Sequence, residues 1–418
     1  MDGVGVMRGN SKAAVTDLAL FGGAKAMAEP LHVGRPNIGE RADFLDRVND
    51  ILDRRWLTNA GKNVAELERR IAGRIGVKHC IAMCNGTVAL EIAIRALELE
   101  GEVIVPSFTF VATAHALQWQ EITPVFCDID PVNLTIDPAQ ITRMVTPRTT
   151  GIIGVHLWGR PCDTDAIDIV AATHGLKVLY DAAHAFECSH RGKMIGNFGE
   201  AEVFSFHATK FFNTMEGGAV VTNNDKLAAK IRLMKNFGFA GYDNVIYIGT
   251  NGKMNEVCAA MGLTNLSKLE EFIAINRRNY HAYREELEGV PGIRVVAFNE
   301  AEKCNFQYVP VIVDERDCGI GRDRMIQLLH AENILARRYF YPGCHRMQPY
   351  KALFPHAGLM LPETEALSQR IMLLPTGTTM DLSQVGTICA LLRQFVQWAP
   401  EINERLDRKQ RKIAAIRA

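Results

Sequence analysis

The sequence predicts an α/β fold, with a large domain built on a mostly parallel sheet covered by helices on both faces, followed by a smaller C-terminal α+β domain. Three observations carry this. Short apolar runs rich in Val and Ile alternate with helical patterns from residue 64 onward, which is how a parallel sheet buried on both faces reads. A long helical pattern near residue 270 ends that alternation. Strands and helices then resume in a different order, as a second unit built on the long helix would require.

Taken in order, residues 1–30 are small, polar and irregular, and a flexible N-terminal arm is expected there. The large domain is assigned to 31–270. Its strand candidates are "VIVPSF" (103–108), "PVFCDID" (124–130), "GIIGVHLW" (151–158), "KVLYDAA" (177–183), "AEVFSF" (201–206) and "GAVVTNN" (218–224). Helical patterns at 87–99, 138–144, 162–173 and 225–236 lie between most of them. The pattern over 254–290 is too long for one straight helix of ordinary length, so one kink or break is expected. The small domain is assigned to 271–400, with strands "IRVV" (293–296) and "QYVPVIVD" (307–314), a helix at 322–332, the stretch "LARRYF", and a helix at 382–397. Residues 401–418 form a charged tail, either helical or frayed.

The 418 residues carry 47 basic and 47 acidic side chains, which cancel. No global field recruits nucleic acid or an anionic membrane. Ten cysteines in a chain of this length fall short of a disulfide scaffold, and most sit in apolar runs as reduced thiols. Cys80 and Cys84 are close but have no second pair to complete a zinc site, so no metal is expected. No apolar run approaches 18 residues, and the amino terminus has no apolar secretion segment. A cytoplasmic protein is expected.

Three groups of residues fall at the carboxyl ends of predicted strands, where open α/β sheets bind ligands. In "CNGTVALEIAIRAL", Asn85, Gly86 and Thr87 open a helix after an apolar run. Free amides there suit an anion, and the same residues would also serve as an ordinary helix cap. In "VLYDAAHAF", Asp181 ends a core strand with His184 three residues on. A carboxylate there needs a cation, such as a pyridinium nitrogen, unless it caps the following helix. In "VFSFHATKFFNTMEGG", Ser205 ends a strand and Lys210 follows in a loop among Phe204, Phe206, Phe211 and Phe212. Desolvation by those rings would make the amine a nucleophile, where a solvated loop lysine would stay protonated. Anion cradle, buried carboxylate and desolvated lysine, in that chain order, match the phosphate, ring nitrogen and aldehyde of pyridoxal 5'-phosphate (PLP).

Those stretches, with "VIVPSFTFVATAHA", "PVFCDIDPVNLTID", "HLWGRPCD", "GTNGKMNEVCAAMGL" and "LPTGT", resemble the DegT/DnrJ/EryC1/StrS family of sugar aminotransferases over about residues 30–398. The resemblance implies fold-type I PLP architecture with a seven-stranded-type sheet. It implies that Lys210 bonds the cofactor's aldehyde, Asp181 pairs with the pyridine nitrogen, and Ser205 with the amides of Thr87 and Val88, beside Gly86, holds the phosphate. Phe110 should lie on the ring and His184 should meet the phenolic oxygen. "GTNGKM" is similar to the segment a partner subunit extends to the phosphate, which brings in Asn251 and Lys253 and makes a homodimer with shared active sites.

Two departures matter. His184 stands where many members have glutamine, and "HATKF" stands where many have "YPTKN". The latter resembles the branch acting at carbon 4 of dTDP-4-keto-6-deoxyglucose, which assigns His207 to the substrate. The implied reaction moves the amino group of L-glutamate to a nucleotide-linked keto-sugar, with pyridoxamine 5'-phosphate as the intermediate form. Arg337, Arg338, His345 and Arg346 in "ARRYFYPGCHRMQPY" are candidates for the nucleotide diphosphate, or else an ordinary solvated loop. Amino transfer at carbon 3, another keto-sugar, and a non-catalytic regulator that binds PLP or a sugar nucleotide remain as alternatives.

Overall fold

Seven strands form the central sheet: β1 His79–Met83, β2 Glu102–Pro106, β3 Thr123–Cys127, β4 Thr149–Val155, β5 Lys177–Asp181, β6 Ala201–Ser205 and β7 Gly218–Thr222. In the computed structural model, which describes residues 12–417, their order is β1-β7-β6-β5-β4-β2-β3, and β7 runs against the other six. Alternate residues of each strand feed opposite faces. On one face Ile81, Met83, Val103, Val105 and Leu179 pack beneath the helices Gly86–Ala96 and Asp225–Met234. On the other, Cys80, Ala82 and Phe204 meet the helix Lys62–Ile75, while Ile104, Val178 and Tyr180 meet Thr164–His174. Burial on both faces is why the strands read as apolar runs rather than as alternating ones.

The long helical pattern breaks where expected, between Glu256–Leu266 and Leu269–Glu286. The first of these is almost wholly buried in the large domain. The second carries Tyr283 into the small domain's core. There β8 Ile293–Val295, β9 Val309–Val313 and β10 Ile371–Leu374 form an antiparallel sheet in the order β8-β9-β10.

The arm, the tail and part of the small domain's stretch pack in ways the sequence left open or did not show. Residues 1–11 of the expected flexible arm lie outside the described residues, but from residue 12 the arm is packed. Val15, Leu18 and Met27 are buried in the small-domain core, and Glu332 accepts hydrogen bonds from the amides of Ala19 and Ala26, both at 2.7 Å. Leu31–His32 then pairs in parallel with Ile334–Leu335. Buried apolar side chains fix what composition alone suggested was loose. The charged tail is a helix, Ala399–Arg417, with Ile402 and Leu406 buried in the same core. Within the small domain's stretch of sequence, Cys344, Tyr350 and Leu361 return to the large domain's core, and the Tyr350 hydroxyl meets His115 Nδ1 at 2.7 Å.

The ten cysteines are free thiols. Among the described residues no helix is long and apolar enough to cross a membrane.

Candidate active site

The carboxyl ends of β4, β5 and β6, with the start of the helix after β1, open into a cavity of 580 Å³. Gly218 opens β7 between Met83, the end of β1, and Ser205, the end of β6. A Cβ on Gly218 would lie 2.8 Å from Asn85 C, Gly86 N and Phe204 O, so only glycine lets these chain segments close up. A Cβ on Gly86 would lie 3.0 Å from Ser205 Cβ. The result is a cradle in which the Ser205 hydroxyl lies beside the first amides of a helix, a place suited to an anion. One expected ligand is used differently. The Val88 amide donates to Asn85 Oδ1 at 2.8 Å as a helix cap, while Gly86 and Thr87, at the start of the same helix, line the cavity.

Asp181 ends β5 and is buried. Its Oδ2 accepts from Thr113 Oγ1 at 2.7 Å and its Oδ1 from the Ala183 amide at 3.1 Å. Burial raises its pKa, while those two hydrogen bonds and the charges of Lys210 and His156 oppose the rise. Lys210 lines the same cavity, and its Nζ makes one long contact, 3.4 Å, to the Tyr308 hydroxyl. Burial lowers its pKa to about 8, with the Asp181 charge opposing. Carboxylate and amine thus face one cavity without pairing with each other, and withdrawing two unpaired charges even partly from water is costly.

His184 is buried and its Nδ1 accepts the Trp158 amide at 3.2 Å. Trp158 delivers that amide from a left-handed backbone conformation, φ 55°, which is strained for a bulky residue. Burial and the Lys210 charge push the imidazole well below its usual pKa. It is therefore neutral, with the proton on Nε2 as a donor. Phe110 lines the cavity with 53% of its surface exposed, a large apolar ring left uncovered at the site. His207 lies at the cavity wall, with Nδ1 2.8 Å from Thr209 Oγ1 and Nε2 3.4 Å from Glu216 Oε1.

Other expected residues are elsewhere. His345 is buried and both ring nitrogens are used internally, Nδ1 with Ser107 Oγ at 2.6 Å and Nε2 with Glu365 Oε1 at 2.7 Å, so it has no nitrogen left for a substrate. Arg346 also donates to Glu365. Arg337 and Arg338 are exposed beside the cavity. Arg337 stacks 4.7 Å from the centroid of Tyr339, a cavity residue, and Arg338 is held by Asp323 at 3.2 Å. Asn251 and Lys253 do not line this chain's cavity. Lys253 bridges to Met83, and its Nζ donates to Asn236 Oδ1 at 2.8 Å.

The sequence reading missed the wall contributed by the small domain: Tyr308, Tyr339 and Phe340. Phe340 stacks on His184 with ring centroids 5.8 Å apart and planes 6° from parallel, and Tyr308 meets His184 edge-on at 5.0 Å. The run of aromatics in "ARRYFYP" was the available signal.

The model of the DegT/DnrJ/EryC1/StrS aminotransferase family matches residues 39–393. A dTDP-4-amino-4,6-dideoxy-D-glucose transaminase of Shigella dysenteriae is 41% identical over 324 residues, 78% of this chain and 88% of that protein. The enzyme of the same name from Escherichia coli is 36% identical over 363 residues, 86% and 97% of the two chains. The crystal structure of DesI in the presence of its TDP-sugar product superposes with a TM-score of 0.91 at 48% identity, covering 94% of this chain and 100% of that one. A match that spans both domains and the whole cavity between them leaves one conclusion: the chain belongs to the DegT/DnrJ/EryC1/StrS aminotransferase family.

Proposed function

We propose that this sugar aminotransferase moves the amino group of L-glutamate to carbon 4 of a dTDP-linked 4-keto-6-deoxyhexose, with PLP as the carrier. The observation that carries the reading is the cavity that holds Asp181, buried, and Lys210, half-buried, without pairing them with each other. PLP fits that arrangement chemically: a pyridinium for the carboxylate, an aldehyde for the amine, and a phosphate for the cradle of Gly86, Thr87 and Ser205. Bound there, it supplies an electrophilic carbon and a protonated ring that accepts the electron pair left when a proton departs from the substrate carbon.

The chain's own residues do the rest. Lys210 takes the proton from the α carbon of L-glutamate at Nζ and returns a proton in the second half of the cycle, for which an amine with a pKa near 8 is well matched. Asp181 keeps the ring nitrogen protonated. His184 donates from Nε2 to the phenolic oxygen, as a fixed neutral imidazole rather than the more flexible glutamine amide found in many members. Phe110 covers the ring. His207, half-exposed at the cavity wall, and Arg337, stacked beside its mouth, are assigned to the nucleotide sugar.

The regiochemistry is tested by incubating the protein with L-glutamate and a panel of dTDP- and GDP-linked 3-keto and 4-keto sugars. Turnover is expected with the dTDP-linked 4-keto-6-deoxyhexose, giving the 4-amino product and 2-oxoglutarate. A 3-amino product, or preference for a GDP sugar, would replace the substrate assignment.

The cation of Lys253 lies outside its own chain's cavity, which favours an active unit of two subunits in which Asn251 and Lys253 serve the neighbour's phosphate. Mixing Lys210→Ala protein with a protein carrying Asn251→Ala and Lys253→Ala then regenerates one intact site per hybrid dimer. Activity approaching half that of wild type per hybrid is expected. A mixture that stays inactive after demonstrated subunit exchange refutes the shared site.

A further inference from the structure

Asp181 is held from behind by a short chain of hydroxyls. Thr113 and Thr109 are 1% exposed or less, and their hydroxyl oxygens lie 3.1 Å apart. An ionised Asp181 can only accept, so the Thr113 proton points to Oδ2 at 2.7 Å, and the Thr113 oxygen is left to accept from Thr109. Donors in series polarise one another and strengthen the last bond of the chain.

The segment that carries them is itself anchored. The Ser107 carbonyl accepts the Cys344 amide at 2.9 Å, and Ser107 Oγ meets His345 Nδ1 at 2.6 Å. Phe110 lies in the same stretch, so one segment sets both what lies over the cavity and what holds the carboxylate.

We infer that Thr113 is a positioning residue for cofactor binding: its hydroxyl, backed by Thr109, fixes the Asp181 carboxylate in orientation and in the ionised form that the pyridinium needs. The inference rests on the proposed use of PLP. The remaining polar groups around Asp181 cannot substitute. Lys210 and His184 face it across or beside the cavity, and Lys210 is consumed in bonding the cofactor. Tyr308 is neutral at working pH, because burial raises its pKa. His156, at the end of β4, is paired with Glu202 of β6 at 3.2 Å. The Ala183 amide holds the other oxygen. Removing the Thr113 hydroxyl leaves Oδ2 without its only protein donor among the described residues, so the carboxyl's pKa rises and binding that requires the carboxylate is lost at a higher pH.

The test is PLP titration of the apoprotein from pH 5 to 9, followed by fluorescence, with thermal melting of each apoprotein as a control. Thr113→Val keeps the shape and removes the donor. It is expected to weaken PLP binding about tenfold or more near neutral pH and to shift the acid loss of affinity upward. Thr113→Ser should restore both, whatever happens to the melting temperature. Thr109→Val, which leaves the Thr113 contact in place, should shift the acid loss in the same direction by less, and it decides the matter should Thr113→Val fail to fold. Wild-type affinity and an unmoved acid limb in the valine variants would overturn the inference, as would equal losses in Thr113→Ser. A wild-type apoprotein that does not bind PLP would instead overturn the proposed function.

Discussion

Replacing Lys210 by alanine removes turnover, by more than roughly 10⁴-fold, because the substitution deletes both the group that bonds the cofactor and the base that moves the substrate proton. No neighbour takes its place: the Tyr308 hydroxyl is neutral, and burial with its Nδ1 contact makes His184 a donor rather than a base. The same amine gives a pH signature before any catalysis. Below pH 8 it is an ammonium and cannot attack an aldehyde, and above it the free amine can. Covalent capture of PLP by the apoprotein, trapped with borohydride and located by peptide mass, is therefore expected to be half-maximal near pH 8, well below an ordinary lysine. Turnover within tenfold of wild type in Lys210→Ala, or trapping at another lysine, rejects the assignment.

Asp181→Asn is expected to lower the rate of amino transfer roughly 10³-fold, about 4 kcal/mol of transition-state stabilisation. The amide keeps size and shape but carries no charge to hold a proton on the ring nitrogen, so electrons released at the substrate carbon have a poorer acceptor. The amide can still accept at its oxygen from Thr113 Oγ1 or the Ala183 amide, so folding survives and some cofactor remains bound. Rapid mixing with L-glutamate isolates the first half of the cycle. Near-normal formation of pyridoxamine phosphate in that experiment would show that the carboxylate does not serve the ring.

Much of the fold was legible because strands buried on both faces are rich in β-branched and aromatic residues, and six of the seven central strands, each with at least two of them, announced themselves this way. The seventh, His79–Met83, reads "HCIAM" and holds a single β-branched residue and no Phe, Tyr or Trp, so composition gives it little strand signal. The small-domain strand Ile371–Leu374 reads "IMLL" and directly follows the helix Pro362–Arg370, so by propensity it could equally have extended that helix. In the site, Asp181, Ser205 and Lys210 stood out because strand ends are where charged and polar residues need a reason to be. Thr113 could not stand out, since a threonine inside a helix carries no mark of the carboxylate it meets 68 residues on. His345 misled for the opposite reason: flanked by Arg346 and aromatic residues it looks like an anion site, while its partners Ser107 and Glu365 are distant in sequence.

The small domain's core is made from both ends of the chain, Val15 and Leu18 near the start and Ile402 and Leu406 near the finish, with the large domain's sheet threaded between them. During synthesis the sheet emerges and can close on its own helices while residues 12–33 still lack their partners. Leu31 waits for Ile334, and the first apolar side chains wait longer, for the terminal helix. The wall of Tyr308, Tyr339 and Phe340 belongs to that later-synthesised half, so the residues of the anion cradle precede the aromatic wall in the order of synthesis. A chain cut short of Ile402 would keep every residue that lines the cavity and lose Ile402 and Leu406 from the core behind its aromatic wall.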